Sequence, residues 1–196
     1  STRFNDLRRG VPRMSPSLLS QRLKELEEAG LVERRPIPGG RGACDYRLTE
    51  AGRDAGAIVE AMGRWGQRWV ESSLSLRNLD PSLLMWDMRR NLDPAPLPDR
   101  RTVIEFIYPE LPSAKRRWWL VVEPDGAVDL CHVDPGFEVD RFVTTDLRTM
   151  TAVWMGLTTV AREDARMELS GPPALAGTIQ SWLGLSPFAR EPKRVR

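Results

Sequence analysis

The stretch "MSPSLLSQRLKELEEAGLVERRPIPGGRGACDYRLTEAG", residues 14–52, carries the strongest structural signals in the N-terminal part of this chain. It places a helix with one apolar stripe before a strand-like run, a loop rich in Gly and Pro, a second strand-like run and a new helix start. Ser15 is a good N-cap and Pro16 suits the first helical position. A helix is therefore predicted from Pro16 to about Ala29, ended by Gly30.

The predicted helix has two distinct sides. At 100° per residue, Leu19, Leu23 and Leu26 fall within about 60° of one another and form the packing side. The opposite side is polar and free to bind, and it carries Ser17, Ser20, Gln21 and Lys24.

Two strand-like runs follow, Leu31 to Arg35 and Cys44 to Leu48, joined by the turn Pro36 to Gly42. Thr49 is predicted to cap a long helix that ends near Ser72. That helix has four apolar residues at helical spacing, Ile58, Met62, Trp65 and Trp69. A short helix, from Phe4 to Gly10, is predicted before the quoted stretch. The order of helix, turn, helix and hairpin predicts a winged helix-turn-helix, whose second helix enters the major groove of DNA.

Side-chain chemistry predicts how this unit binds DNA. Gln pairs bidentately with adenine and Ser suits either purine, so Ser17 and Gln21 are predicted to contact base edges. Arg13 and Arg22 are predicted phosphate contacts, and Arg41 at the glycine-flanked wing tip is predicted to contact a minor groove or a phosphate. The complete predicted DNA-binding set is Arg13, Ser15, Ser17, Ser20, Gln21, Arg22, Lys24 and Arg41.

The composition sets limits on the class of protein. The net charge is +2, but residues 1–48 hold ten Lys or Arg side chains against six acids. No run approaches the roughly 18 apolar residues of a membrane span, and no secretion signal is recognised, so a cytoplasmic location is expected. Two distant cysteines and one histidine leave a structural zinc site without enough ligands, and neither metal nor cofactor is expected. Cys44 is expected to be a small packing residue.

The same residues carry a family resemblance. "RFNDLRRGVPRMSPSLLSQRLKELEEAGLVERR" followed by "YRLTEAGR" closely resembles the HxlR family of bacterial winged-helix regulators over residues 3–70. The resemblance implies a homodimeric DNA-binding regulator of transcription, with dimer contacts from the N-terminal helix and the long helix after the wing. In the family a further helix, often with a redox-sensing cysteine, typically precedes Arg3-Phe4. The printed sequence starts after it, so thiol sensing is not carried over.

The remaining chain is predicted to form a second domain. The predicted division is residues 1–72 for the winged helix-turn-helix, 73–80 for a linker, 81–190 for the second domain and 191–196 for a frayed tail. Three strand-like runs, 102–108, 118–123 and 128–133, predict a mainly antiparallel sheet, and Pro124-Asp125-Gly126 predicts a hairpin turn. Helices at 81–90, 146–155 and 173–183 and a strand at 166–170 complete the expected order.

The fold class is therefore α+β, a winged helix-turn-helix followed by an α/β domain. The segment "VTTDLRTMTAVWMGLTTVAREDARMELSGPPALAGTIQSWLGL" resembles sterol-carrier-protein-like domains, which implies an apolar tunnel and an effector-sensing or interaction role. The five Trp side chains of this part line a cavity or fill a core, and core is the better expectation for each one singly. The expected pocket residues are Trp118, Leu130, His132, Trp154 and Trp182.

These observations predict a DNA-binding regulator that acts as a homodimer and responds to an apolar small molecule. The alternative is a lipid or small-molecule carrier whose winged helix serves as a protein-binding or dimerising platform. An enzyme is not expected, because His132 is predicted to point into an apolar layer and no serine elbow, P-loop or dinucleotide fingerprint accompanies it.

Overall fold

The computed structural model describes residues 2–39, 43–72, 76–77, 79–172 and 179–195. The chain divides into two compact units, unit 1 (Ser1–Gly66) and unit 2 (Gln67–Arg196). The helices of the described residues include none that combines the length and apolar character needed to cross a bilayer.

Unit 1 has the predicted order of elements. The helices are α1 (Phe4–Gly10), α2 (Pro16–Glu28) and α3 (Glu50–Trp69), and the strands are β1 (Val32–Pro36) and β2 (Cys44–Leu48). The two strands form an antiparallel hairpin in which Val32 lies opposite Leu48 and Pro36 opposite Cys44. An isolated bridge between Arg3 and Asp45 adds the N-terminal segment to the edge of this hairpin. The winged helix-turn-helix predicted from residues 14–52 is therefore confirmed.

Both ends of α2 are fixed by local chemistry. Ser15 is extended at the N-cap, and its Oγ accepts a hydrogen bond from the backbone N of Leu18 at 3.2 Å. At the other end Gly30 has a φ of +71°, and the N–H groups of Gly30 and Leu31 bond to the carbonyls of Glu27 and Leu26. This pairing is a Schellman motif, which satisfies helix-terminal carbonyls and directs the chain into β1.

The "YRLTEAG" segment joins the hairpin to α3. Thr49 Oγ1 donates to the carbonyl of Gly30 at 2.7 Å and accepts from the backbone N of Gly52 at 3.1 Å. A Cβ on Gly52 would lie 2.0 Å from the carbonyl oxygen of Leu31, so no larger residue fits without movement of the backbone. The threonine caps α3 and the glycine permits its close approach to the chain between α2 and β1.

Unit 2 has a five-stranded sheet with helices. Its described elements in chain order are α4 (Pro81–Asn91), β3 (Thr102–Ile107), α5 (Ser113–Arg116), β4 (Arg117–Val122), β5 (Val128–Cys131), β6 (Arg141–Thr144), α6 (Leu147–Trp154), two short 3₁₀ turns (Val160–Arg162 and Asp164–Arg166), β7 (Glu168–Ser170) and α7 (Ile179–Trp182). The strand order is β5-β4-β3-β6-β7, and the β3–β6 pair alone is parallel. The mainly antiparallel sheet expected from the sequence is confirmed.

The main core of unit 2 lies on one face of this sheet. Large side chains from α4, α6, α7 and the strands pack there with almost no exposure; the most buried include Met85, Met88, Phe106, Leu120, Met150 and Trp182. A smaller cluster on the opposite face consists of Val103, Trp119 and Val121, with Cys131 and Val139 packed against it.

The sequence-based expectation lacks one strand and the short helix α5 of unit 2. Strand β6 was not predicted, because its four residues give too short a pattern to distinguish from a loop. Of the predicted helix at 173–183, residues 173–178 lie outside the described part, and a helix is described at Ile179–Trp182.

The division between the two compact units, after Gly66, falls earlier than the predicted linker at residues 73–80. Gln67, in the last turn of α3, donates from Nε2 to the carbonyl of Met155 at 3.1 Å. Arg68 forms an ion pair with Glu191, and the backbone N of Arg194 donates to the carbonyl of Arg68 at 2.8 Å. These bonds assign the helix end to unit 2 and hold the segment that was expected to fray. They join residues 88 or more positions apart, so local patterns do not reveal them.

Candidate nucleic-acid interface

The two sides of α2 differ in burial as the sequence predicts. Leu19 and Leu23 are each 7% exposed and pack inward, while Ser17, Ser20, Gln21 and Lys24 are exposed. Leu26 departs from the prediction, because it is 39% exposed although it lies near the packing side. Leu18 is exposed to a similar degree, so the accessible surface of α2 combines hydroxyl, amide, ammonium and some apolar groups.

Ser15 and Ser17 form the N-terminal edge of this surface. Their hydroxyl oxygens lie 3.0 Å apart, and the Ser15 hydroxyl also accepts from the backbone of Leu18. The Ser15 hydroxyl therefore caps the N-terminus of α2, whereas the Ser17 hydroxyl does not cap the helix and is exposed one turn before Gln21. Both hydroxyls lie where α2 begins, close to the positive end of the helix dipole.

A three-residue network covers the middle of the exposed surface. Gln21 Nε2 donates to Glu25 Oε1 at 3.0 Å, and Arg22 Nη1 donates to Glu25 Oε2 at 2.6 Å. The hydrogen bond from Arg22 is the main cause that lowers the pKa of Glu25 below its ordinary value, with a smaller contribution from Gln21. The carboxylate is therefore ionised at neutral pH and accepts one hydrogen bond on each oxygen.

The described basic residues of the predicted DNA-binding set are spread over α2 and the turn before it. Arg13 is exposed in the turn before the helix, and Lys24 forms an exposed ion pair with Glu28 at 3.5 Å. Arg22 is committed to Glu25 through one guanidinium nitrogen, which leaves donors on the others. Arg41, the predicted wing-tip contact, lies outside the described residues.

The wing strands expose three further arginines that the sequence-based set omits, namely Arg34, Arg35 and Arg47. A side-chain hydrogen bond with Cys44 raises the pKa of Arg34, so Cys44 is a hydrogen-bond partner as well as a half-buried packing residue. Arg35 pairs with Glu33, and Arg47 with Asp45. Arg34 and Arg35 are consecutive in β1 and point to opposite faces of the hairpin, so the alternation of side chains along a strand did not predict that both are exposed.

The five predicted pocket residues of unit 2 have different environments. Trp118 and Trp182 belong to the main core, and Trp182 has no exposed surface. Leu130 and Trp154 are half-buried and pack against the same core. His132 is exposed, which differs from the expected apolar layer, because β5 ends at Cys131 and the next residue leaves the sheet. The centroid of its ring lies 6.3 Å from that of Trp118.

Two indole N–H groups of this set are buried without a hydrogen-bond partner among the described residues, those of Trp154 and Trp182. A buried polar group without a partner costs free energy, so such groups are uncommon in folded proteins. Among the predicted pocket residues, these two indole N–H groups are therefore hydrogen-bond donors for which the described core supplies no acceptor.

A cleft of about 470 Å³ lies elsewhere in unit 2, at the ends of β3 and β6 and the start of α6. Most of its lining residues are polar or charged, although its exposed lining surface is mainly apolar, and none of the five predicted pocket residues lines it. Glu110 accepts from the backbone N of Leu147 at 2.7 Å, and Asp146 accepts from that of Thr149 at 2.8 Å. The carboxylates of the cleft wall therefore stabilise the first turn of α6. The described residues contain no group of three or more His, Cys, Asp or Glu arranged to hold a metal ion.

A helix-turn-helix with a two-stranded wing and an exposed polar second helix defines the winged-helix class of proteins. A family profile described as "HxlR-like helix-turn-helix" matches residues 1–74. The chain is 36% identical over 73 residues to the "Uncharacterized HTH-type transcriptional regulator YvaP" of Bacillus subtilis (strain 168), across 37% of this chain and 68% of that protein. The chain belongs to the HxlR family of helix-turn-helix transcriptional regulators.

Other relatives carry similar names. The HTH-type transcriptional regulator YodB of Bacillus subtilis is 35% identical over 35% of this chain and 62% of its own length. The uncharacterized regulator Rv3095 of Mycobacterium tuberculosis (strain ATCC 25618 / H37Rv) is 41% identical over 35% of this chain and 42% of its own length. The chain therefore spans between about two fifths and about two thirds of these relatives, and the matches cover little more than its first third.

Solved structures with some likeness include two sterol carrier proteins. Palmitated SCP2L2 from Aedes aegypti has a TM-score of 0.37 and 21% identity, over 51% of this chain and 90% of that one. Apo Sterol Carrier Protein 2 from Yarrowia lipolytica has a TM-score of 0.37 and 15% identity, over 57% of this chain and 94% of that one. Scores below 0.5 carry no conclusion about what unit 2 binds.

Proposed function

We propose that this protein is a non-enzymatic regulator that binds operator DNA through α2 and the wing. The proposal rests above all on the exposed hydroxyl and amide groups of α2, opposite the buried Leu19 and Leu23, in a chain of a helix-turn-helix family. A polar face of this kind suits hydrogen bonding to base edges, with Ser17 and Gln21 in that role. The excess of basic residues within residues 1–48 supplies attraction to phosphates, with Arg13, Arg22, Lys24 and the wing arginines in reach.

We propose further that the chain binds DNA as a homodimer through α3. Ile58, Met62 and Trp65 are 66%, 68% and 61% exposed and lie within about 60° of one another around the helix. An aromatic side chain buries roughly 150–250 Å² when covered, so this apolar stripe supplies a large part of the roughly 800 Å² per partner of an ordinary interface. We propose a second copy of the chain as the partner of this stripe, because a twofold axis places the stripe of one copy against the same stripe of the other, and both are then covered. Operators with twofold symmetry then match the symmetry of the dimer.

A third part of the proposal concerns unit 2, which we suggest takes an apolar small molecule that modulates DNA binding. The two buried indole N–H groups, of Trp154 and Trp182, support it, because a ligand that brings a hydrogen-bond acceptor to either group would satisfy that donor. Such a ligand alters DNA binding only if its affinity differs between the DNA-competent and incompetent states. Native mass spectrometry of the purified chain should reveal an additional bound mass. If every preparation shows only the mass of the chain itself, the proposed small-molecule binding is refuted.

The DNA-binding proposal is tested by selecting duplexes from a random pool and measuring their affinity over a range of salt concentrations. Affinity for the selected duplex should fall steeply with salt, and Gln21→Ala should reduce discrimination among sequences. Arg22→Ala should weaken binding to all sequences and reduce the salt slope by about one, with some added loss of discrimination because the ion pair with Glu25 is removed.

Arg64→Ala is a matched control for Arg22→Ala, since Arg64 is also an exposed arginine with an ion-paired glutamate on a helix of unit 1. It should leave DNA binding unchanged. A lipid or small-molecule carrier with a winged helix as a protein platform would not bind duplex measurably at about 150 mM salt. That result would refute the proposed regulator and favour the carrier.

A further inference from the structure

Glu25 occupies an unexpected place for an acid, since it lies on the exposed surface of α2 that we propose to face DNA. It follows Gln21 by four residues, which is about 40° of rotation and one turn of rise. A carboxylate on a surface directed at phosphates opposes binding through its charge. Its position therefore calls for a compensating role in recognition.

The contacts of Glu25 suggest that role. An ionised carboxylate accepts hydrogen bonds and donates none, so only the NH₂ end of the Gln21 amide can face it. The 3.0 Å bond from Gln21 Nε2 to Glu25 Oε1 thus fixes which end of the amide points to Glu25. The Gln21 carbonyl oxygen is directed away, and the second N–H of the same amide remains free to donate.

The fixed amide matches one base in the major groove. Adenine presents an N7 acceptor beside an N6 donor, and a glutamine reads both with one N–H and its carbonyl oxygen. Those are the two groups that the bond to Glu25 leaves available on Gln21. The salt bridge between Arg22 Nη1 and Glu25 Oε2, at 2.6 Å, holds the carboxylate from the other side.

We infer that Glu25 is a positioning residue that orients the Gln21 amide for adenine. Its contact with Gln21 raises sequence discrimination, while its negative charge lowers the affinity for DNA of any sequence. This inference deepens the proposed function and rests on it. Without Glu25 the amide rotates freely and presents either end to a base. The chain then loses an orienting contact and also a negative charge that repels phosphates.

The test is a comparison of base preferences after Glu25→Ala, with binding to both a selected duplex and a scrambled duplex. The wild type should prefer adenine at one position per half-site, and Gln21→Ala should abolish that preference. Glu25→Ala should reduce the adenine preference by roughly fivefold or more, within the range expected for one bidentate contact. It should also tighten binding to the scrambled duplex by roughly two- to fivefold, because a repelling charge is removed. A purely structural defect would weaken both duplexes instead.

Glu27→Ala is the matched control, since Glu27 is an exposed glutamate on the same helix about 120° away from Gln21. It should tighten binding to the scrambled duplex to a similar degree but keep the adenine preference. Glu25→Gln should give an intermediate preference, because a neutral carbonyl still accepts from Gln21 while its own NH₂ competes.

Three results would overturn the inference. They are an unchanged base profile in Glu25→Ala, an equal loss of preference in Glu27→Ala, or an adenine preference that survives Gln21→Ala. Each of these leaves operator binding itself intact. A wild-type chain that selects no sequence and shows no salt-dependent binding would overturn the proposed function as well, so the two failures are distinguishable.

Discussion

Replacement of Met62 by lysine should separate the proposed dimer into monomers. Met62 lies at the centre of the exposed apolar stripe of α3 and is 68% exposed. Complete burial of a methionine side chain stabilises by about 1.5–3 kcal/mol, so covering the exposed two thirds contributes about 1–2 kcal/mol per protomer. A twofold interface counts the residue twice, giving about 2–4 kcal/mol for the pair. Met62→Lys should therefore raise the dimer dissociation constant by at least roughly 30- to 900-fold.

Sedimentation equilibrium over a concentration series measures this constant directly. Glu60→Gln is the control, because it also changes the charge by +1 but lies about 160° around the helix from Met62, with its side chain 66% exposed. It should dimerise like the wild type, and all three chains should keep the same helical circular dichroism. The reasoning would be refuted by a wild type that stays monomeric at tens of micromolar, or by an equal constant in Met62→Lys.

Three further predictions concern stability, each measured by urea unfolding. Ser15→Ala removes the hydroxyl that caps α2 and accepts from the backbone N of Leu18, so the free energy of unfolding should fall by about 0.5–2 kcal/mol. An unchanged free energy of unfolding would show that the cap does not contribute to stability. Gly184→Ala should fail to fold or unfold at far lower urea, because a Cβ there would lie 1.4 Å from the carbonyl oxygen of Asn91; a normal midpoint would contradict this close approach. Burial raises the pKa of Glu105, so the folded state binds its proton more tightly. The free energy of unfolding of the wild type, measured relative to that of Glu105→Gln, should therefore rise as pH falls from 7 toward the ordinary carboxyl pKa of 4.5. A difference between the two chains that stays constant with pH would refute this prediction.

Much of unit 1 was readable from the sequence because its signals are local. The hydroxyl of Ser15, the left-handed Gly30 and the spacing of Leu19 and Leu23 act within one or two helical turns. The chemistry of α2 was also readable in outline, since its polar side was predicted and is exposed. The contacts of Glu25 were not readable, because an acid near the end of a helix has the sequence pattern of ordinary solvated surface, and its bonds to Gln21 and Arg22 depend on side-chain conformation.

Unit 2 was less readable because its pairings are distant in the chain. Strand β6 is buried beside β3, whose residues lie 37 positions earlier, and its four residues carry no distinctive periodicity of their own. The placement of His132 also depended on where β5 ends, which is set by pairing with β4 and not by composition.

The winged helix, the exposed polar side of α2 and the alternation of the antiparallel sheet could be read from the sequence, since each depends on residues close together in the chain. The tertiary structure was needed for the strand order of the sheet, the attachment of residues 191–194 to the end of α3 and the exposure of His132. These depend on contacts between distant residues, whose free energy is gained only after the chain has closed long loops, and a local pattern carries no record of which distant partner completes them.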